Sequence, residues 1–137
     1  MTTPQASVQE ALIYAMVTMS AVDRIISDSE LRKIGTIVGQ LPVFVSFDLD
    51  HLVKTAQACG ELLSDDDGLD KILAIIAHSL PKKFHETAYA LAVEIAAVGR
   101  DVTNEEIRFL ELLRDKLHLD KLATAAIERG ARARHQI

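Results

Sequence analysis

The chain has 137 residues, of which 49% are hydrophobic and 26% charged, and 20 Asp and Glu against 15 Lys and Arg give a formal net charge of −5. This balance is typical of a single folded domain over residues 1–137 and is too apolar for a disordered chain. The acidic excess argues against a general nucleic-acid binder, because such proteins contact phosphates through clustered cations.

Apolar residues recur at three- and four-residue spacings, which predicts amphipathic helices. The first helix is predicted to begin at a capping box over residues 7–10, and the second at a capping box over residues 27–30. The second helix should end at Leu41, because Pro42 follows. The residues predicted to face the core in these two helices are Val8, Ala11, Leu12, Ala15, Met16, Met19, Val22, Leu31, Ile34 and Val38.

Three further helices are predicted in the middle of the chain. Asp48 should open the third, with Gly60 as its end, and the acidic run at residues 65–67 should open the fourth, which Pro81 closes. The fifth is predicted from about Lys82 to Val98, and its many alanines indicate a central helix that neighbours approach closely. The predicted inward residues are Leu49, Leu52, Val53, Ala56, Leu69, Ile72, Leu73, Ile76, Leu80, Phe84, Ala88, Leu91, Ala92 and Ile95.

The last two helices are predicted after a capping box at residues 103–106 and after Asp120. No segment alternates with the period of two that a strand requires. The fold class is therefore all-α, a compact bundle of about seven helices joined by short loops. The predicted inward residues here are Ile107, Leu110, Leu113, Leu117, Leu122, Ala123, Ala126 and Ile127, and the basic residues 129–135 are expected to fray.

Cys59 is the only cysteine, so an internal disulfide and a cysteine-based zinc site are both excluded. Its place in a helical pattern favours a small buried side chain over a reactive thiolate. The start of the chain lacks the basic and apolar regions of a signal peptide, and no apolar run is long enough to cross a membrane. We therefore expect a cytoplasmic protein.

Two stretches of the chain, residues 21–34 and 97–110, repeat one pattern. Thr103 follows Ser27 by 76 residues, as Glu106 follows Glu30, and each copy has an apolar helix, a short turn, an aliphatic residue and a capping box. The repeat predicts an internally duplicated helical hairpin with the two turns as counterparts. Helix capping by itself would also account for each of these polar residues.

Both turns carry parts of a longer motif, at Asp23, Ile26, Ser27 and Glu30 and at Val102, Thr103 and Glu106. In this motif the chain resembles the TerB-like tellurite-resistance family. The resemblance implies a surface that binds a divalent metal ion of unspecified identity, with Asp23, Glu30 and Glu106 as the matching ligands. Arg24 stands at the family's usual glycine, and Gly99 and Arg100 replace Asp-Gly in the second turn, which reduces the ligand charge for a hard cation.

The resemblance implies an accessory module of tellurite resistance and stress response. Its partner would be a protein, namely a membrane-associated resistance complex, which would place the chain at the inner face of the membrane. The alternative is a metal-free protein-interaction scaffold that uses a helical groove or the acidic first half, where residues 1–70 hold 11 Asp and Glu against 4 Lys and Arg. We expect no enzymatic activity, because no nucleophile–base arrangement or glycine-rich phosphate loop is present.

A further acidic cluster, residues 65–67, is a second candidate for weak cation binding. It does not form an EF-hand, because the loop positions that need glycine and glutamate hold Asp70 and Ile76. Capping of the following helix is the simpler explanation of this cluster.

Overall fold

The computed structural model describes residues 5–22, 26–98 and 102–137. These ranges contain seven α-helices, two 3-10 turns and no strand. The all-α prediction is therefore confirmed. Short 3-10 turns, Pro42–Phe44 and Lys82–Phe84, precede the third and fifth helices. The α-helices are α1 Val8–Ala21, α2 Asp28–Gln40, α3 Asp50–Leu63, α4 Gly68–Ser79, α5 His85–Val98, α6 Asn104–Lys116 and α7 Lys121–Arg134.

The three predicted capping boxes are all formed, at the starts of α1, α2 and α6. The aspartates that were expected to open the other helices behave differently. Asp48 accepts a hydrogen bond from the backbone N–H of Asp50 at 2.9 Å, in the turn just before α3. Asp67 and Asp120 stand at the N-cap positions of α4 and α7 and make no side-chain capping bond.

The two helices α1 and α5 pack against each other at the centre of the bundle. Both are apolar around most of their circumference, as helices surrounded by neighbours must be. α3 and α4 pack on α1, and α7 packs on α5. Fully buried alanines, Ala88 and Ala92 in α5 and Ala11 and Ala15 in α1, allow close approach of neighbouring helices. The predicted central position of α5 is confirmed, and α1 shares it.

The two hairpins, α1–α2 and α5–α6, also cross over each other. α2 contacts α5, and α6 contacts α1, so the second helix of each hairpin rests on the first helix of the other. A two-fold pairing of hairpins requires such contacts. The duplication itself stays a prediction from the sequence.

Several residues that were predicted to face the core are exposed instead. Leu31 is 39% exposed and Ile107 is 47% exposed, and both directly follow a buried glutamate in the first turn of α2 or α6. Successive helical residues are turned by about 100°, so the glutamate takes the inward position and its neighbour is rotated out. Val53, at 56%, is rotated out in the same way after the buried Leu52.

Two other predictions, about the exposed side of α7 and the end of α3, were also wrong. Leu122 is 78% exposed, and Ala126 is exposed as well, because α7 rests on the bundle mainly through α5. Helix α3 runs past Gly60 to Leu63, and Gly60 has the negative φ of an ordinary helical residue. The fifth helix begins with a 3-10 turn at Lys82, as predicted, and is α-helical from His85 to Val98.

Candidate metal centre at the acidic turns

Ser27 and Thr103, which cap α2 and α6, have nearly the same backbone conformation. Their φ and ψ angles are −80° and 161° for Ser27 and −79° and 164° for Thr103. This extended conformation directs the hydroxyl oxygen toward the free N–H groups of the first helical turn. The two turns therefore end in matching local structures.

Each cap is joined to the glutamate three residues later by reciprocal hydrogen bonds. The backbone N–H of Ser27 donates to Oε1 of Glu30 at 3.0 Å, the Ser27 hydroxyl donates to the same oxygen at 2.8 Å, and the N–H of Glu30 donates to the Ser27 hydroxyl at 3.1 Å. The N–H of Thr103 donates to Oε1 of Glu106 at 2.9 Å, and the N–H of Glu106 donates to the Thr103 hydroxyl at 3.1 Å. Each carboxylate is thus held at the positive end of its own helix.

Burial separates these two glutamates from the third capping glutamate of the chain. Glu30 and Glu106 are each 1% exposed and are among the largest fully buried side chains. The side chain of Glu10 is 32% exposed, and its Oε2 lies 3.0 Å from Nε2 of His51. Because Glu10 completes its capping box near the surface, capping does not require burial. Glu30 and Glu106 therefore share the capping bonds of Glu10 and differ from it in burial.

A shallow groove of about 360 Å³ brings the end of α1 next to the start of α6. Val22, which follows the last residue of α1, and Leu69 from α4 line one part of it, and Asn104, Glu105 and Arg108 from α6 line another. The chain therefore leaves α1 beside the first turn of α6. Asp23, the third predicted ligand, follows Val22 directly in the sequence and lies outside the described residues, as do Arg24 and Arg100.

The donor chemistry of the predicted centre suits a hard divalent cation, because Asp23, Glu30 and Glu106 would offer only carboxylate oxygens. Within residues 5–22, 26–98 and 102–137, no group of three or more His, Cys, Asp or Glu side chains is arranged to hold a metal ion. Of the three predicted ligands, Glu30 and Glu106 lie within these ranges and Asp23 lies outside them. The centre stays a prediction.

The second acidic cluster, at residues 65–67, has a cation from the chain itself. Nζ of Lys71 lies 3.2 Å from Oδ2 of Asp65 and 3.3 Å from Oδ1 of Asp67. The hydrogen bonds that Lys71 donates to Asp65 and Asp67 raise the pKa of Lys71, which keeps the ammonium group charged. These aspartates therefore have a counter-charge without a metal ion.

The predicted role of Cys59 as a core residue is confirmed. Its side chain is fully buried, and its sulfur lies 3.4 Å from the hydroxyl of Thr18. Burial raises the pKa of the thiol to about 11, although the hydrogen bond with Thr18 opposes the shift. A thiol with such a pKa is almost entirely neutral at physiological pH, and it is a poor nucleophile and metal ligand.

A contact near the end of α7 was not predicted from the sequence. Glu94 of α5 accepts a hydrogen bond from Arg134, and its Oε2 lies 3.1 Å from Nε2 of His135. Helix α7 continues to Arg134, so the basic segment that was expected to fray is helical over most of its length and tied to α5. No local signal pointed to this pairing, because Glu94 lies 40 residues from Arg134 in the sequence.

Comparisons of the chain with protein-family models, with curated proteins and with solved structures find no match. The TerB-like resemblance therefore rests on the motif residues and the helix pattern of this chain. Among the described residues, no helix is both long enough and apolar enough to cross a membrane.

Proposed function

We propose that the chain is a non-enzymatic, TerB-like accessory module of a stress response such as tellurite resistance. It binds a divalent cation at its two acidic turns, through Glu30, Glu106 and Asp23, and it acts on a protein partner, namely a membrane-associated resistance complex at the inner face of the membrane. The observation that carries the proposal is the matching geometry of the two turns, in which Ser27 and Thr103 hold one oxygen of Glu30 and of Glu106 by the same capping bonds.

A hard divalent cation prefers carboxylate oxygens, which are the donors that Glu30, Glu106 and Asp23 would offer. The protein's own residues prepare the site. Ser27 and Thr103 hold one oxygen of each glutamate in place, so neither side chain needs to be ordered when the ligand arrives. Glu30 and Glu106 start α2 and α6, and each of these helices rests on the first helix of the other hairpin. Cation binding would therefore alter the packing between the two hairpins, and a protein partner could recognise that change.

Calorimetric titration with Mg²⁺, Ca²⁺, Mn²⁺ and Zn²⁺ tests the proposal. We expect binding of at least one ion with a dissociation constant below about 1 mM, the weak end of protein calcium sites. Glu30→Gln combined with Glu106→Gln should abolish the heat. Glutamine can still complete a capping box, so these variants remove charge and keep the helix starts.

Glu10→Gln is the matched control, because Glu10 forms the same capping box near the surface. It should leave the isotherm unchanged. The metal proposal fails if no ion produces heat, or if the double variant binds as tightly as the unaltered chain. An isotherm that instead responds to Asp65→Asn with Asp67→Asn would assign the binding to the second acidic cluster.

A metal-free interaction scaffold is the second candidate, and an apolar groove favours it. The groove, of about 330 Å³, lies between α5, α6 and α7 and is lined by Val93, Val102, Ile107 and Leu110. Val102 and Ile107 are about half exposed, and exposed apolar clusters of this kind mark interaction sites. This candidate gains if calorimetry detects no cation and if Ile107→Lys, but not Leu31→Lys, releases the chain from membrane fractions.

A further inference from the structure

Helix α7 is the least embedded of the α-helices in the described ranges. Its buried residues are Thr124 and Ala131, both of them small. Each of the other six α-helices buries at least one large apolar side chain, such as Leu52 in α3 or Phe109 in α6. Because apolar burial is the main attraction between packed helices, α7 is held to the bundle by less of it than its neighbours are.

Two polar attachments fix α7 to α5, the helix on which it packs. Midway along α7, Oε2 of Glu128 accepts a hydrogen bond from the hydroxyl of Tyr89 at 2.9 Å. At the end of α7, Glu94 accepts a hydrogen bond from Arg134, and its Oε2 lies 3.1 Å from Nε2 of His135. Each attachment includes a carboxylate, and hydrogen bonds to charged groups are stronger than neutral ones.

The protonation states of Tyr89 and Glu94 suit these attachments. Burial raises the pKa of Tyr89 and the hydrogen bond to Glu128 raises it further, so the hydroxyl keeps the proton that it donates. Burial opposes ionisation of Glu94, but the hydrogen bonds from Arg134 and His135 lower its pKa overall. The side chain of Glu94 is 17% exposed, so salt screens its charge less than that of a fully exposed pair.

The surface of α5 beneath α7 is apolar. Val93 and Ala96 are 7% and 5% exposed, and they line the groove of about 330 Å³ together with Glu128 and Ala131 of α7. Tyr89 is 2% exposed. If α7 left α5, these three side chains of α5 would enter water, and the groove between α5, α6 and α7 would become an open apolar surface.

We propose that α7 is a lid, which leaves α5 as one unit and uncovers this apolar surface while the rest of the bundle stays folded. Folded proteins open in contiguous cooperative units, and the elements with the fewest buried apolar contacts open most easily. Residues 117–120 join α6 to α7 and form the hinge, and Glu94 is the latch at the far end. The lid is a property of the fold that does not depend on the cation proposed above.

Hydrogen exchange measured at single amides by NMR tests the lid. In the unaltered chain, the amides of residues 124–134 should share one free energy of opening, lower than that of the amides in α1. Glu94→Gln removes the charge of the latch, and it should speed exchange about tenfold at all of these α7 amides. Tyr89→Phe removes the second attachment and should act in the same way from the middle of the helix.

Glu86→Gln is the matched control, because Glu86 is an exposed glutamate of the same helix and lies outside both attachments. It should leave the exchange of α7 unchanged. If Glu94→Gln speeds exchange only in the last turn of α7, the helix frays from its end and the lid is overturned. Amides of α7 that open only with those of α1 would also overturn it.

A thiol placed under the lid tests whether opening uncovers α5. In the Val93→Cys chain, the introduced thiol should react with an aromatic disulfide reagent more than about tenfold faster than Cys59, which is buried in the core. Adding Glu94→Gln should speed that reaction about tenfold again. Equal rates for the two thiols would mean that α5 is uncovered only when the whole chain unfolds, and no response to Glu94→Gln would mean that the thiol is reached without opening. Either result contradicts the lid.

The lid and the cation site fail separately. None of these variants changes Glu30, Glu106 or their capping residues, so a negative exchange result would leave the cation proposal standing. Conversely, a chain that binds no cation in calorimetry should still show the shared opening of α7.

Discussion

Glu30 and Glu106 are structural counterparts that lie 76 residues apart. Each is the third residue of its helix, each is 1% exposed, and each accepts a hydrogen bond from the backbone N–H of its own N-cap residue. Sequence periodicity treats a glutamate at such a position as a polar residue facing water. Here Glu30 takes the inward position predicted for Leu31, and Glu106 takes the one predicted for Ile107. The bundle therefore buries two acidic side chains.

The buried capping glutamates should tolerate a change of charge better than a loss of side chain. Glu106→Gln keeps the capping geometry. Glu106→Ala removes the capping bond and opens a space in the packed interior, and it should lower the free energy of unfolding by about 2 kcal/mol. Urea denaturation measures both. Glu10→Ala is the comparison, and it should cost less, because Glu10 is partly exposed. Equal losses for Glu106→Ala and Glu10→Ala would show that burial adds nothing to the cap.

Replacing either of two glycines with alanine should change the free energy of unfolding, but in opposite directions. A Cβ at Gly68 would collide with the carbonyl oxygen of Leu62, a backbone atom that cannot easily move, whereas nothing lies near a Cβ at Gly35. Gly35 is inside α2, so Gly35→Ala should raise the free energy of unfolding by about 1 kcal/mol. Gly68→Ala should lower it by about 2 kcal/mol, in the range of overpacking. Thermal unfolding of the two variants measures the sign, and stabilisation by both would contradict the close approach at Gly68.

Alkaline pH should weaken the fold through Cys59. Its pKa is about 11 in the folded chain, against an ordinary value of 9.0, so the unfolded chain releases this proton first. Stability is then fully present below pH 9.0 and falls as the pH rises toward 11. The full loss is about 3 kcal/mol, from about 1.4 kcal/mol for each pH unit.

Urea denaturation across this pH range measures the effect, and Cys59→Ala should flatten the profile. Burial also raises the pKa of Tyr14, so some alkaline loss should persist in that variant. A profile that Cys59→Ala leaves unchanged would place the alkaline sensitivity elsewhere.

Most of the fold could be predicted because its signals are local. The capping boxes at Ser7, Ser27 and Thr103 depend on residues three positions apart, and the stripes that face the core depend on spacings within one or two turns. The errors came where neighbouring helices decide which side of a helix is covered. Leu122 has the spacing of a core residue, yet α7 rests mainly on α5, and this position stays in water.

For the candidate site, too, the local features could be predicted and the burial could not. Glu30 and Glu106 were identifiable from their repeated motif, and their hydrogen bonds to Ser27 and Thr103 followed from capping rules. Their burial was not identifiable, because the sequence around Glu10 offers the same capping pattern and leaves that side chain partly exposed. The pairing of Glu94 with Arg134 was also out of reach, since these residues meet only after α7 packs on α5.

The sequence by itself determined that this chain is helical, where most of its helices begin, and which residues cap them, because backbone hydrogen bonding and side-chain spacing act over a few residues. Only the tertiary structure decided that α1 and α5 share the centre, that two capping glutamates are buried while a third is not, and that Val53 of α3 and Leu122 of α7 stay exposed to water. These outcomes depend on which surfaces exclude water, and that is settled by helices distant in sequence packing against one another.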